Sequence, residues 1–126
     1  MEKVAVLTGA GKGMGGACAR ELAARGWKVA LLSPSGNAEK LAAELGGVGV
    51  TGSVVETADL QRLVDAAMGK WGRMDGVVTS TGHPPKGDLL SRDEAAWNAW
   101  LALGILDVVN LERLVNTFMD KLCLGA

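Results

Sequence analysis

Residues 8–15 read TGAGKGMG, and they separate an apolar run at residues 3–7 from a helix-like segment at residues 16–25. A strand that ends at this point must reverse within a few residues and lead into a helix, and glycine accepts the positive φ values that such a turn requires. The first amides of that helix have no partner inside the helix, and the helix dipole favours an anion beside them. The stretch therefore predicts a phosphate-binding turn between a first strand and a first helix.

Two other interpretations of this turn have to be considered. A strand-to-helix turn can pack tightly and bind nothing, and the residues alone leave that alternative open. A Walker-type phosphate loop needs a Lys and then a Ser or Thr after its last glycine, whereas Ala17 and Cys18 follow Gly16. Phosphate-loop NTPase chemistry is therefore disfavoured.

Size and composition narrow the class of protein. The chain has 126 residues and a net charge of -1, which suits one domain with its own core. A pI near 5.8, with dispersed basic residues, gives no electrostatic signature for nucleic acid. We find no signal peptide and no apolar stretch that would span a bilayer, and we expect a soluble cytoplasmic protein. Cys18 and Cys123 have no spacing that suggests metal or redox chemistry, so no metal site is expected.

Short apolar runs alternate with amphipathic segments along the whole chain. The patterns predict strands at residues 3–8, 27–32, 48–54 and 74–79, and helices at residues 13–25, 38–45, 56–70 and 92–122. Such alternation favours parallel strands joined by right-handed crossovers. We expect an open, doubly wound, Rossmann-like α/β domain with about four strands in the order 3-2-1-4, ending in a long helix.

The last predicted helix is apolar on more than one side. Ser91, with Glu94 three residues later, is expected to cap it. One apolar side can cover the sheet, and the other favours a partner chain, although a slightly apolar surface helix is the alternative. The fourth strand would also leave an apolar edge at residues 76–78, and such edges recruit strands. We therefore predict a homodimer or a higher homo-oligomer through the last helix or the fourth-strand edge.

The order of these elements resembles the N-terminal portion of the short-chain dehydrogenase/reductase family, up to about Met119. Thr8-Gly9, with Gly13 and Gly15, matches the family's Thr-Gly-x-x-x-Gly-x-Gly turn. In that family the turn binds the pyrophosphate of a nicotinamide dinucleotide at a Rossmann switch point. The resemblance implies cofactor-binding roles for Gly9, Lys12, Gly13, Met14, Gly15, Ser33, Ser53, Ser80, Thr81 and Gly82.

The expected coenzyme follows from charge. NAD-preferring members of the family usually place an acidic residue at the end of the second strand, where Ser33 stands here, and residues 27–38 contain no Asp or Glu. Lys12 matches the basic residue of NADP-preferring members, and Ser33 or Ser35 could donate to a 2'-phosphate. We therefore expect NADP(H), with NAD less favoured; a solvent-exposed turn lysine with no such role is the alternative for Lys12.

The departures from the family pattern concern mainly its catalytic residues. The family's Asn-Asn-Ala-Gly appears here as residues 79–82, its adenine-contacting Asp as Ser53, and its helix Asn at or near Gly104. The family's catalytic Ser and Tyr-x-x-x-Lys have no counterpart, and the sequence holds no Tyr. His83 could in principle donate a proton, but a plain loop residue is favoured. We predict no catalytic residue, in a single truncated dinucleotide-binding domain at residues 1–126.

Three functions are compatible with these residues. The first is a truncated short-chain dehydrogenase/reductase, inactive alone, whose full-length relative interconverts a carbonyl and an alcohol by hydride transfer with NADP(H). The second is a non-catalytic, regulatory dinucleotide-binding protein. The third is a self-associating structural protein that keeps the fold without the ligand.

Overall fold

A computed structural model describes residues 2–80 and 88–124 of the chain. Four strands form one parallel sheet in the spatial order β3-β2-β1-β4, as the sequence predicts. They are β1 (Val4–Thr8), β2 (Lys28–Ser33), β3 (Val48–Thr51) and β4 (Gly76–Val78). Because the chain leaves β1 for β2 on one side and places β4 on the other, a crevice opens at the carboxyl end of β1.

Helices cover both faces of this sheet. They are α1 (Gly13–Ala24), α2 (Asn37–Leu45), α3 (Thr57–Trp71), α4 (Glu94–Leu101) and α5 (Asp107–Leu124). On one face Leu7 and Leu31 of the strands share a buried cluster with Leu41 of α2. On the other face Val6 and Leu32 share a cluster with residues of α3 and α5. The central strands β1 and β2 are therefore almost fully buried, which explains their continuous apolar runs.

The third strand is shorter than the sequence predicts. It ends at Thr51, not at Val54. The Gly52 N–H still donates to the Ser33 carbonyl of β2 over 2.9 Å, but the Ser53 N–H donates to Asp59 Oδ2 over 2.9 Å. The Ser53 bond turns the chain towards α3.

The sequence predicts Asn37 as the cap of the second helix, and this prediction is wrong. Asn37 is the first residue of α2, and Gly36 precedes it without a side-chain cap of its own. Two serine hydroxyls perform this function instead. Ser35 Oγ accepts from the Asn37 N–H over 3.3 Å, and Ser33 Oγ accepts from the Ala38 N–H over 3.0 Å.

The last helical segment covers residues 94–124 without a break, close to the predicted residues 92–122, but one part of it is not α-helical. Ser91 ends a short 3₁₀ turn (Leu89–Ser91), and Asp93 caps α4 by accepting from the Ala96 N–H over 2.8 Å. Between α4 and α5, residues Ala102–Leu106 form a π-helical turn. Such turns insert one extra residue into the helical ladder and occur often at functional sites.

The prediction that this segment is apolar on two sides is confirmed. Leu111 and Val115 of α5 are buried in the core beside α3. Other large apolar side chains are exposed along α4, the π-helical turn and α5: Trp100, Leu101, Ile105, Leu106 and Val109. Within the described residues, β4 pairs only with β1, so its other edge carries no strand.

None of the helices in the described ranges is both long and apolar enough to pass through a lipid bilayer.

Candidate functional site

A cleft of about 440 Å³ lies at the carboxyl end of the sheet, beside the β1–α1 turn. It brings together the glycine-rich turn, the segment after β2 and the residue that follows β4. Its lining residues are Gly9, Gly11, Lys12, Gly13, Met14, Gly15, Ser33, Pro34, Ser35, Asn37 and Ser80. Seven of the ten residues predicted from the sequence line it: Gly9, Lys12, Gly13, Met14, Gly15, Ser33 and Ser80.

Glycine is required at the three motif positions for different structural reasons. Gly9 and Gly13 adopt φ values of +59° and +61°, which side chains rarely tolerate. A Cβ on Gly13 would meet no atom within 4 Å, so its requirement is conformational. Gly15 has no positive φ; a Cβ there would lie 2.1 Å from the Gly9 carbonyl oxygen. Gly15 therefore permits the close packing of α1 on the turn, and the expectation of a positive φ at this residue is wrong.

The start of α1 presents backbone amides without a side-chain cap. Lys12 is the N-cap residue, and its side chain makes no capping hydrogen bond. The Gly16 N–H is the donor that returns to the Lys12 carbonyl, over 3.1 Å. The first turn contains no acidic residue, and the dipole of this twelve-residue helix adds positive potential at the same point. An anion is thus the group that this end of α1 favours.

The turn after β2 is held by hydroxyl groups. Ser33 is buried; its Oγ donates to the Ser35 carbonyl over 2.6 Å and accepts from the Ala38 N–H. Its hydroxyl hydrogen is therefore already used inside the turn. Ser35 is exposed and lines the cleft, and its Oγ accepts from the Asn37 N–H, which leaves its own hydrogen available for donation. The sequence predicts either serine as a donor to a 2'-phosphate, but in the structure the Ser33 hydroxyl hydrogen is already bonded, whereas that of Ser35 is available.

Thr8 fixes the fourth strand to the glycine turn. Its Oγ1 donates to the Ser80 carbonyl and accepts from the Ser80 N–H, each over 3.1 Å. A Cβ on Gly9 would lie 2.6 Å from the same carbonyl oxygen. The Thr-Gly pair thus sets the position of Ser80 at the mouth of the cleft. This positioning role of Thr8 was not predicted from the sequence.

Ser53 lies outside the cleft lining, at the turn between β3 and α3. Its N–H donates to Asp59 Oδ2, and its Oγ accepts from the Val55 N–H over 3.3 Å. The pKa of the half-buried Asp59 carboxyl is lowered, chiefly by the hydrogen bond from Arg62 and then by the Ser53 amide. A cofactor role for Ser53 remains a prediction.

Three residues singled out from the sequence lie outside the described residues: Thr81, Gly82 and His83. Gly104, at or near which the family resemblance predicts the helix Asn, lies within the π-helical turn Ala102–Leu106.

Comparison with known proteins agrees with this geometry. The family model described as short chain dehydrogenase matches residues 3–125. The chain is 30% identical over 122 residues to 3-oxoacyl-(acyl-carrier-protein) reductase FabG of Escherichia coli K12, covering 94% of this chain and 50% of that protein.

Two solved structures have the same fold over most of the chain. The 3-ketoacyl-(acyl-carrier-protein) reductase of Brucella melitensis, complexed with NADH, is 29% identical with a TM-score of 0.78, over 88% of this chain and 48% of that chain. The L-sorbose reductase of Gluconobacter frateurii, complexed with NADPH and L-sorbose, is 23% identical with a TM-score of 0.83, over 94% of this chain and 48% of that chain.

The match covers only part of these relatives, since the chain spans about half the length of the proteins it matches. In this chain, the family model covers nearly every residue, including the glycine turn and all four strands. The chain belongs to the short-chain dehydrogenase family.

Proposed function

We propose that the chain binds a nicotinamide dinucleotide in the cleft beside the β1–α1 turn, with NADP(H) preferred. The observation that carries the proposal is the cleft itself, which joins the uncapped amides of α1 to the hydroxyl-lined turn after β2. The Brucella relative, which was solved with NADH, supports this class of ligand. The end of α1 in this cleft favours an anionic ligand over an uncharged one, because its first turn has no side-chain cap and no acidic residue.

The pyrophosphate would be held by the first turn of α1. The amides of Gly13, Met14 and Gly15 have no helical acceptor, because the i to i−4 ladder begins with Gly16. Gly13 leaves open space where a Cβ would stand, which allows a ligand to approach the backbone. These donors fit a pyrophosphate without rearrangement of the turn.

A 2'-phosphate would be held by Lys12 and Ser35. Within the described residues no carboxylate is paired with the exposed Lys12 ammonium. Ser35 can donate its hydroxyl hydrogen, whereas the Ser33 hydroxyl is already bonded to the Ser35 carbonyl. We assign the phosphate contacts to Lys12 and Ser35 and give Ser33 a positioning role.

The chemistry that the family implies for a full-length relative is the interconversion of a carbonyl and an alcohol. The coenzyme, when bound, supplies or accepts the hydride. The given sequence has no Tyr to act as the proton donor of the family, and Gly104 cannot supply an amide side chain. We therefore propose that residues 1–126 act as one nucleotide-binding domain, located in the cytoplasm, without turnover of their own.

Calorimetric titration with NADPH and with NADH tests this proposal. The wild-type chain is expected to bind NADPH more tightly than NADH. Met14→Asp places a carboxylate at the exposed first turn of α1 and is expected to weaken both nucleotides at least tenfold, by like-charge repulsion. Met14→Asn has the same shape as Met14→Asp without the charge, and as the matched control it should weaken both nucleotides far less. No binding of either nucleotide at millimolar concentration would overturn the proposal.

A second function, self-association, is favoured by the exposed apolar side chains of the last helical segment. Ile105 and Leu106 are 54% and 51% exposed, and Val109 is 44% exposed on the following turn. Contiguous apolar area of this kind marks protein interfaces more often than free surface. Sedimentation should therefore give a mass above 13.0 kDa, and Ile105→Glu with Val109→Glu should restore it to that value. Val55→Glu, at a 41% exposed position outside this surface, should not.

A further inference from the structure

Met14 brings an exposed thioether to the lining of the cleft. It is the second residue of α1, and 83% of its surface is exposed. Two other methionines have side chains that the structure describes: Met68 packs against the core, and Met74 is 2% exposed. An oxidant in solution therefore reaches the sulfur of Met14 more readily than that of Met68 or Met74.

Met14 contributes little to the packing of α1. This helix buries Gly15, Gly16 and Ala19. Met14 is a member of neither of the two buried clusters on the faces of the sheet. A polar atom added to its side chain stays in water and leaves the core unchanged. Oxidation of Met14 thus changes the cleft without changing the fold.

The backbone beside Met14 has hydrogen-bond donors without acceptors. The first turn of α1 has no side-chain cap and no acidic residue, and the Gly16 N–H is the first donor to return to the helix. A thioether sulfur is only a weak acceptor, so the reduced side chain leaves these amides to a ligand. They are the donors that the proposed function gives to the pyrophosphate.

Hydrogen peroxide converts this weak acceptor into a strong one. A lone pair of the Met14 sulfur attacks one peroxide oxygen, an S–O bond forms, and the O–O bond breaks. The sulfur gives up two electrons, and the other oxygen leaves with both hydrogens as water. The sulfoxide oxygen stands on the same side-chain position as the amide oxygen of a glutamine. Its partial negative charge is favoured by the free amides and the dipole at the start of a helix.

We propose that Met14 is a modification site, at which oxidation by peroxide to the sulfoxide lowers the affinity of the cleft for nicotinamide dinucleotides. This inference rests on the proposed nucleotide site. The sulfoxide oxygen competes with the pyrophosphate for the amides at the start of α1. Because NADPH and NADH share the pyrophosphate, both affinities fall by the same factor. Reduction of the sulfoxide restores them.

Calorimetric titration of the full chain with NADPH and NADH, before and after treatment with hydrogen peroxide, tests this inference. Dithiothreitol is added after the peroxide, because it reverses disulfide and sulfenic acid formation at the exposed Cys18 and leaves methionine sulfoxide in place. Peptide mass spectrometry should find one added oxygen atom on Met14 before Met68 and Met74 react. The oxidised chain should bind both nucleotides about threefold more weakly. Methionine sulfoxide reductases for both sulfoxide epimers should restore the initial constants.

Two variants of Met14 separate its oxidation from other effects of peroxide. Met14→Leu keeps an apolar side chain and Cys18 but has no sulfur at residue 14, so its own dissociation constants should be the same before and after treatment. Met14→Gln carries an acceptor oxygen where the sulfoxide has one. Without any oxidant it should bind both nucleotides about threefold more weakly than Met14→Leu. The temperature of unfolding of the wild type should not fall on oxidation of Met14, and a fall would contradict an effect confined to the cleft.

The outcomes distinguish this inference from the function beneath it. If the reduced wild-type chain binds neither nucleotide, the proposed function is wrong and the inference is wrong with it. If both nucleotides bind, and complete oxidation of Met14 changes neither constant, the nucleotide site stands and the role of Met14 is wrong. The same conclusion follows if peroxide weakens binding equally in the wild type and in Met14→Leu.

Discussion

Thr8 and Ser80 are joined by two hydrogen bonds at a single hydroxyl group, since Thr8 Oγ1 donates to the Ser80 carbonyl and accepts from its N–H. The two residues stand 72 positions apart in the chain, at the ends of adjacent strands. Thr8 is buried, with 2% of its surface exposed. The Thr8 hydroxyl thus gives both the N–H and the carbonyl of Ser80 a hydrogen-bond partner, beyond the end of β4.

Thr8→Val is expected to destabilise the fold by about 2 kcal/mol, because it leaves the Ser80 amide and carbonyl without their partner. Valine has nearly the same shape, so packing should change little. Ser80 would also lose its fixed position at the cleft, and the affinity for NADPH and NADH should fall by the same factor. Urea unfolding and calorimetry measure the two effects.

Thr8→Ser is the control for this variant, because it keeps the hydroxyl. It should retain the nucleotide affinities of the wild type and lose less stability than Thr8→Val. Equal stability of Thr8→Val and the wild type would contradict the role given to the hydroxyl.

Gly15→Ala should destabilise the fold by roughly 1–3 kcal/mol, because its Cβ would lie 2.1 Å from a backbone oxygen that cannot move independently. Gly69→Ala is the matched control in α3. No atom lies within 4 Å of its Cβ, and alanine in a helix interior should add about 0.5–1 kcal/mol. Thermal unfolding of both variants gives the comparison. A Gly15→Ala protein as stable as Gly69→Ala would contradict the packing explanation for Gly15.

The sheet could be predicted because its signals are local. Each central strand is an apolar run buried on both faces, and each is followed by glycine or by polar turn residues. The alternation of strands and helices then favours parallel pairing, and the resemblance to a Rossmann-like family indicated the order 3-2-1-4, which the structure has. The cleft followed from the same reasoning, since the ends of β1 and β2 must meet beside the glycine turn.

The details that sequence reasoning missed depend on contacts between distant segments. Ser33 and Ser35 are equivalent in a sequence pattern, and only the packing of the turn shows that the Ser33 hydroxyl is already used. Glu39 directly follows residues 27–38, and its contact with β3, where Thr51 donates to its carboxylate over 2.8 Å, is not visible in a sequence pattern. Ser91 and Asp93 are both acceptable caps, and the preceding 3₁₀ turn selects Asp93.

Lys12→Ala should weaken NADPH about tenfold and NADH less than twofold, if the Lys12 ammonium contacts the 2'-phosphate. The exposed side chain makes no capping bond, so stability should be unaffected. Lys40→Ala removes an exposed lysine from α2 and controls for net charge. Calorimetry with both nucleotides provides the measurement, and an equal loss for NADPH and NADH would exclude this contact.

Asp75 should stabilise the fold at neutral pH and lose this contribution at acidic pH. Arg73 donates to its carboxylate, with Nε 2.9 Å from Oδ2, and the Val4 N–H donates to the same oxygen over 2.8 Å. The Arg73 bond is the main reason that the pKa of Asp75 is lowered in the folded state. A lowered pKa gives stability that is present above the unfolded value, near pH 4, and is lost as pH falls through the folded value.

Asp75→Asn keeps an acceptor for the Val4 amide and removes the charge. It should cost about 1–2 kcal/mol at pH 7 and less at pH 3. Urea unfolding at both pH values is the test. If the wild type and the variant lose stability in parallel on acidification, the Arg73–Asp75 ion pair does not contribute to the acid-induced loss of stability.

Asp107 should have the opposite dependence on pH. It is the first residue of α5, with 4% of its surface exposed, and its Oδ1 accepts from the Val108 N–H over 2.9 Å. Burial raises the pKa of its carboxyl, and the backbone amides only partly offset this effect. The folded state therefore holds its proton more strongly than the unfolded state, and stability is lost as pH rises from about 4 through the raised pKa.

Asp107→Asn cannot ionise and can still accept from the Val108 amide. It should be more stable than the wild type at pH 7 and nearly equal to it below pH 4, as measured by urea unfolding at the two pH values. A variant that is less stable than the wild type at pH 7 would show that the ionised carboxylate is itself stabilised by the fold.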